Sequence, residues 1–185
     1  GFPPTFENVG ISPNILMKIN VPTDNGFLPD IYGKFAPDDQ KMGGNPVRSF
    51  PIQFSEVPAN TATFAVTMID HDAIPVGGFT WIHWVAANLP GTLTELPENA
   101  SQSGAVTMTF GKNSNAGALV GGTNPLVTER YTGPLPPDQD HRYTITVYAL
   151  DTKLPLTDGF WLNQLMDAMG GNILAEATQV VMGRA

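Results

Sequence analysis

Apolar and polar positions alternate with a period of two along much of this chain, the signature of half-buried strands. Ile15, Met17, Ile19 and Val21 alternate with Leu16, Lys18 and Asn20. Thr61–Ile69 and His83–Leu89 are apolar on nearly both faces, which predicts strands at the centre of a sheet. Arg142–Leu150, rich in β-branched and aromatic residues, predicts another strand. Arg48–Phe54 reads as a strand at an edge or bulge because of Pro51, and Val106–Phe110 as a shorter one. Residues 1–14 are Pro-rich and read as extended, 22–46 as turns around a short apolar run, and 111–125 as a loop of Gly, Asn and Ser. The period changes only near the C-terminus. Leu162, Leu165, Met166 and Met169 predict a helix with Asp158 as N-cap and Gly170-Gly171 as its stop. A second helix is expected beyond it, capped by Asn172, with Ile173, Leu174, Ala177, Val180 and Val181 on one stripe.

With 19 Gly and 17 Pro spread over 185 residues, the chain is cut into many short elements, which favours an all-β sandwich over a helical bundle. The length suits one domain with a sizeable core, and neither a repeat nor a linker divides it. A formal net charge of −8 without a compensating basic stripe argues against nucleic-acid binding. There is no cysteine, so disulfides, thiol chemistry and Cys-ligated metals are excluded. No apolar run approaches the roughly 20 residues of a membrane span, and a cytoplasmic location is expected.

The chemistry gathers in two segments. The first runs from Asp70-His71-Asp72-Ala73-Ile74-Pro75 to Trp81-Ile82-His83-Trp84, and the second from Gly133-Pro134-Leu135-Pro136-Pro137 to His141-Arg142-Tyr143. All 3 histidines lie in them, beside turn residues and directly before apolar strands. Each residue alone has a structural explanation: Asp70 and Asp72 as Asx-turn carboxylates, His83 and His141 as satisfied core imidazoles. If the segments converge, two imidazoles and a carboxylate form a polar site at the ends of strands. Asp70 would then fix the tautomer of His83, a Tyr131 or Tyr143 hydroxyl and the Gly133-Pro134 backbone would donate, and Trp81 and Trp84 would wall the ligand. Phosphate affinity is expected to rise from about pH 7.5 to 6 as imidazoles of ordinary pKa, roughly 6.5, take up protons. Catalysis has a thinner basis. No Gly-x-Ser-x-Gly stands near the histidines, a paired-carboxylate reading of Asp70 and Asp72 depends on the turn between them, and no His-x-His or His-x-x-x-His spacing supports a metal.

The two segments resemble the motifs of the phosphatidylethanolamine-binding protein family, in its bacterial Raf-kinase-inhibitor-like branch. The first resembles Asp-x-Asp-Ala-Pro followed by His83-Trp84-Val85-Ala86-Ala87-Asn88, and the second Gly-Pro-x-Pro-Pro followed by His-Arg-Tyr. Gly170-Gly171-Asn172-Ile173-Leu174-Ala175 is similar to the closing segment of bacterial members. The resemblance implies an all-β fold with peripheral helices: a Greek-key sandwich of two antiparallel sheets with two short C-terminal helices. It also implies a ligand pocket lined by Asp70, Trp81, His83, Gly133, Pro134, His141 and Tyr143, taking phosphate, phosphoethanolamine or similar headgroups, without metal, cofactor or catalysis. A module inhibiting a kinase or protease through the same pocket is the alternative, and a hydrolase using His83 and Asp70 ranks below it. Bacterial relatives often pair, which leans toward a homodimer. Two departures stand out: Ile74 is inserted before the motif's proline, and Asp138-Gln139-Asp140 precedes His141, so that Asp140 is expected beside the pocket.

Overall fold

The computed structural model describes residues 16–185; the Pro-rich stretch 1–14 and Ile15 lie outside the described residues. Five antiparallel strands form the main sheet. They are β5 (Thr63–Asp70), β6 (Trp81–Pro90), β8 (Thr109–Phe110), β9 (His141–Leu150) and β10 (Ile173–Gly183), in the order β10-β9-β5-β6-β8. Across the core lies a smaller sheet of β1 (Lys18–Asn20), β4 (Ile52–Ser55) and β7 (Glu95–Leu96), in the order β1-β4-β7. β2 (Lys41–Met42) and β3 (Asn45–Pro46) make a separate hairpin through Gly43 and Gly44, whose φ values of 54° and 82° suit a tight two-residue turn. Four strands of the main sheet, taken in chain order, return to the Greek-key arrangement β9-β5-β6-β8.

The central strands are apolar on both sides because both sides are covered. Phe64, Val66 and Met68 of β5 face the sandwich core with Trp84, Ala86, Ile145 and Val147, against Ile52, Phe54 and Leu96 from the smaller sheet and Met17 just before β1. Ala65, Val85 and Ala87 face the other way and pack under α4 (Leu162–Met169), which buries Leu165 and Met169 there with Phe160 and Leu154. Small alanines on that face bring the helix down onto the sheet. Three other helices, α1 (Ile74–Gly77), α2 (Ala100–Ser103) and α3 (Pro125–Thr128), are single turns at the periphery. Among the described residues no helix is long and apolar enough to cross a membrane.

The expected second C-terminal helix is instead β10. It pairs with β9 from Ile173↔Leu150 to Gly183↔His141. The stripe of Ile173, Ala177 and Val180–Val181 fits a helical period, but Ala175, Ala177, Val181 and Gly183 also fit a period of two. The open edge of β9 decides between them by offering a full row of backbone partners. Ile173 and Val180 consequently stand exposed. The Gln179 amide then clamps the chain beyond β1, accepting from the Val21 N–H at 2.8 Å and donating to its carbonyl at 2.9 Å.

Other boundaries moved less. The strand expected at Arg48–Phe54 is regular only over Ile52–Ser55, and that at Val106–Phe110 only over Thr109–Phe110. Trp161, not Asp158, occupies the N-cap of α4. Its N–H goes to the Gln164 side chain at 2.8 Å, while Asp158 accepts from the Phe110 N–H at 2.9 Å. In β6 the register shifts between Phe64↔Leu89 and Val66↔Ala86, leaving an extra residue where Asn88 takes φ 57°. The buried Asn88 amide satisfies both backbone groups of Leu154 at 2.8 and 3.0 Å.

Candidate functional site

One end of the main sheet gathers the two segments. Asp70 ends β5, with Trp81 of β6 opposite it on one side and Tyr143 of β9 on the other; His141 opens β9 opposite Gly183. A second register shift in β6, between Met68↔Trp84 and Ile69↔Ile82, leaves His83 as the extra residue of a bulge. A bulge turns two successive side chains to the same face. Trp84 can therefore fill the sandwich core while its neighbour His83 also points inward at the end of that core.

The bulge also sets the partners of His83. Freed from the ladder, its carbonyl accepts from the Thr132 N–H at 3.2 Å, while its ring Nδ1 meets the Thr132 carbonyl at 2.7 Å. The Thr132 oxygen can only accept, so Nδ1 carries the proton and Nε2 keeps its lone pair. Burial pulls the His83 pKa down to about 4, against the Thr132 hydrogen bond and the nearby Asp70 charge, so the ring is neutral at pH 7.

His141 is held differently. Its Nδ1 lies 2.7 Å from Asp70 Oδ2 and its Nε2 2.6 Å from Asp138 Oδ1. Burial opposes its charge, but the hydrogen bonds to Asp70 and Asp138 outweigh that and its pKa is raised. Asp70 serves two masters, because Oδ1 also accepts from the Ala73 N–H at 3.1 Å and closes the turn into α1. Asp70 thus closes that turn and also bonds the His141 ring. It orients His141, however, not His83, whose tautomer is fixed by a backbone carbonyl. Tyr143 packs edge-on to His83 and near-parallel to His141, with ring centroids 5.1 and 6.3 Å apart. Burial first, then the Asp70 carboxylate, pushes its hydroxyl well above the ordinary tyrosine range.

These groups border a cavity of about 260 Å³, with Asp70, Trp81, His83, Gly133, His141 and Tyr143 all in its lining. Pro134 is absent from that lining and packs behind it, where a Cβ on Gly33 or Gly183 would touch it. The Gly133 N–H is spent on the Pro46 carbonyl at 2.9 Å and does not reach into the cavity. Glycine is required there because a Cβ would overlap the Tyr32 carbonyl oxygen. The Tyr131 hydroxyl is likewise spent, donating to that same oxygen at 2.7 Å. Asp72 lies outside the cavity lining. Arg142 grips it through backbone and guanidinium at 2.8 to 3.1 Å, and the guanidinium holds its pKa at about 2. The expected neighbour Asp140 accepts from the Ala185 N–H instead, at 2.8 Å, and Asp138 is the acidic residue that reaches the site.

Sequence reasoning missed most of the wall. Ala73, Val76, Leu135, Pro136 and Pro137 complete an apolar lining with Trp81, while Asn45 and Asn115 bring amides. The inserted Ile74 starts α1, and so helps to set Val76 at the cavity. Asn115 donates to the Thr132 hydroxyl at 3.3 Å. No lysine or arginine is in the lining, and among the described residues no group of three His, Cys, Asp or Glu side chains is arranged to hold a metal ion.

The structure is thus an antiparallel sandwich with a small, mostly apolar cavity over two oppositely tuned imidazoles. Comparison with known proteins gives the family. The phosphatidylethanolamine-binding protein model matches residues 18–183, and the chain belongs to that family. It is 51% identical over 160 residues to the uncharacterized protein YxkA of Bacillus subtilis, covering 86% of this chain and 95% of YxkA. The crystal structure of CT736 from Chlamydia trachomatis, a homologue of the same family, superposes with a TM-score of 0.64 at 29% identity, over 91% of this chain and 96% of CT736. That of Escherichia coli YbcL gives 0.71 at 24% identity over 91% and 98% of the two chains, a likeness of fold.

Proposed function

We propose that the chain binds a small phosphoryl headgroup, phosphate or a phosphoethanolamine-like ester, in this cavity and does not transform it. The observation that carries this reading is the pair of fixed imidazoles bordering one cavity. Among the described residues His83 Nε2 is an acceptor with no protein partner, and His141 is held between two carboxylates that favour its charged form. A protonated phosphoryl oxygen, or an ammonium group, supplies the donor that His83 lacks. Trp81 and the prolines take the ligand's carbon skeleton, and the indole face suits a cationic head. The non-catalytic reading rests on the lining. Asp70 has both oxygens engaged, and among the described residues the lining holds no serine, cysteine or lysine as nucleophile. Without a lysine or arginine clamp, affinity is expected between about micromolar and millimolar.

The test is a calorimetric titration with inorganic phosphate and phosphoethanolamine at pH 6, on the wild type and on His83→Ala. Saturable binding that the substitution abolishes is expected. Undiminished affinity in His83→Ala would overturn the assignment of this cavity.

A further inference from the structure

We propose that Asp138 is a built-in competitor: its carboxylate occupies the His141 Nε2–H, and a phosphoryl oxygen entering the cavity must exchange with it. The inference rests on the headgroup reading above.

Three observations carry it. Asp138 Oδ1 sits 2.6 Å from His141 Nε2, the length of a charge-assisted bond, and a carboxylate oxygen presents to an imidazole N–H what a phosphoryl oxygen presents. His141 Nδ1 is committed to Asp70, a bond that is almost wholly buried and fixed by the sheet register of both residues. The ring therefore has one exchangeable bond, and it is the one to Asp138. Finally, the Asp138 side chain is 43% exposed whereas that of Asp70 is 5% exposed, so only the former can leave into water without stranding a buried charge.

The local chain permits the exchange without rebuilding. Pro136 is pinned by the Lys34 ammonium on its carbonyl at 3.1 Å, and Asp140 is pinned by the Ala185 N–H at 2.8 Å. Asp138 lies between those anchors, three residues before His141, so a rotation about its own side-chain bonds opens the N–H. The consequence is selectivity. A ligand whose oxygen carries too little charge to displace a carboxylate leaves the contact closed.

The experiment is an NMR titration at pH 6 with inorganic phosphate and, separately, phosphoethanolamine. It follows the imidazole nitrogens of His83 and His141 in the wild type, Asp138→Ala and Asp138→Asn. Asp138→Ala is expected to bind phosphate tenfold or more tightly than the wild type, with the shift at His141 Nε2 growing accordingly. Asp138→Asn, which keeps a neutral acceptor in place, is expected to fall between them. Equal affinity in all three proteins would overturn the competitor while leaving the headgroup reading intact. Weaker phosphoethanolamine binding in Asp138→Ala, with phosphate unchanged, would overturn it in favour of Asp138 as the receptor of the ammonium. Absence of phosphate binding in every protein, Asp138→Ala included, would overturn the competitor and the headgroup reading together.

Discussion

His83 should make the protein acid-sensitive in a way that one substitution removes. Its folded pKa is about 4 against an ordinary value of 6.5. Between those values the unfolded chain binds a proton that the native chain refuses, so stability falls as pH drops. Integrating the proton linkage gives a loss of about 2 kcal/mol between pH 7 and pH 5, and about 3 kcal/mol by pH 4. His83→Asn keeps a donor for the Thr132 carbonyl but cannot titrate. Urea unfolding of both proteins at pH 7, 6 and 5 cancels the carboxylates they share, and the stability difference should shift by about 2 kcal/mol toward the mutant at pH 5. Parallel curves would refute the claim that burial holds this ring neutral, and with it the free lone pair at Nε2. His141 acts with the opposite sign. Its raised pKa contributes stability that is fully present below its unfolded value and is lost as pH rises through the higher folded one.

Asp70→Ala removes one partner of a buried pair and a turn-closing acceptor, and should cost about 3–5 kcal/mol in urea unfolding at pH 6. Asp70→Asn keeps an oxygen for one of the two contacts and should cost about 1–3 kcal/mol, the penalty of one unsatisfied group; an equal loss in both would deny the double role. Gly133→Ala should cost about 1–3 kcal/mol by forcing a methyl into the Tyr32 carbonyl, and wild-type stability would show that the loop can give. Asp72→Ala breaks a solvent-facing grip on Arg142 and should leave phosphate titrations unchanged with only a small, salt-sensitive loss of stability; altered phosphate affinity would put Asp72 in the site after all.

What the sequence made legible were elements whose environment is set by their own residues. β5 and β6 announce burial on both faces by composition, β9 announces a strand by its β-branched and aromatic residues, and α4 announces one packed stripe. β10 did not, because its stripe satisfies two periods and the choice belongs to the edge of β9, more than twenty residues away. The site divides along the same line. Convergence of the two segments was a condition set by their side chains and implied by the family resemblance, and the sheet register produces it. The wiring inside the site was not, because it runs through groups without a side-chain signature: the Thr132 carbonyl that fixes His83, the Pro46 carbonyl that absorbs the Gly133 N–H, and a one-residue bulge at His83. Asp138 and Asp140 are indistinguishable in sequence, since each is an acid just before His141. Only the fold sends the first to the imidazole and the second to the Ala185 N–H.

That wiring changes the origin of the expected pH dependence. With His83 neutral above about pH 5 and each His141 ring nitrogen already facing a carboxylate oxygen that favours its proton, the imidazoles are not the expected source of a proton that draws an anion in as pH falls. The ligand itself does. His83 Nε2 needs a donor and the His141 Nε2–H needs an acceptor once Asp138 yields it, and a phosphate monoester with one proton provides both. Its dianion provides only acceptors and would set a lone pair against a lone pair. Since the second pKa of such esters is about 6, affinity should still rise as pH falls through that range, following the ligand's titration. Inorganic sulfate separates the two explanations, because it has the same shape and no proton to give across that range. Calorimetric titrations at pH 7.5, 6.5 and 5.5 should show phosphate esters binding several-fold more tightly at the lowest pH and sulfate binding weakly and without trend. A sulfate affinity that rises in step with that of the phosphate ester would show that the protein takes up the proton, and the neutral His83 would have to be abandoned.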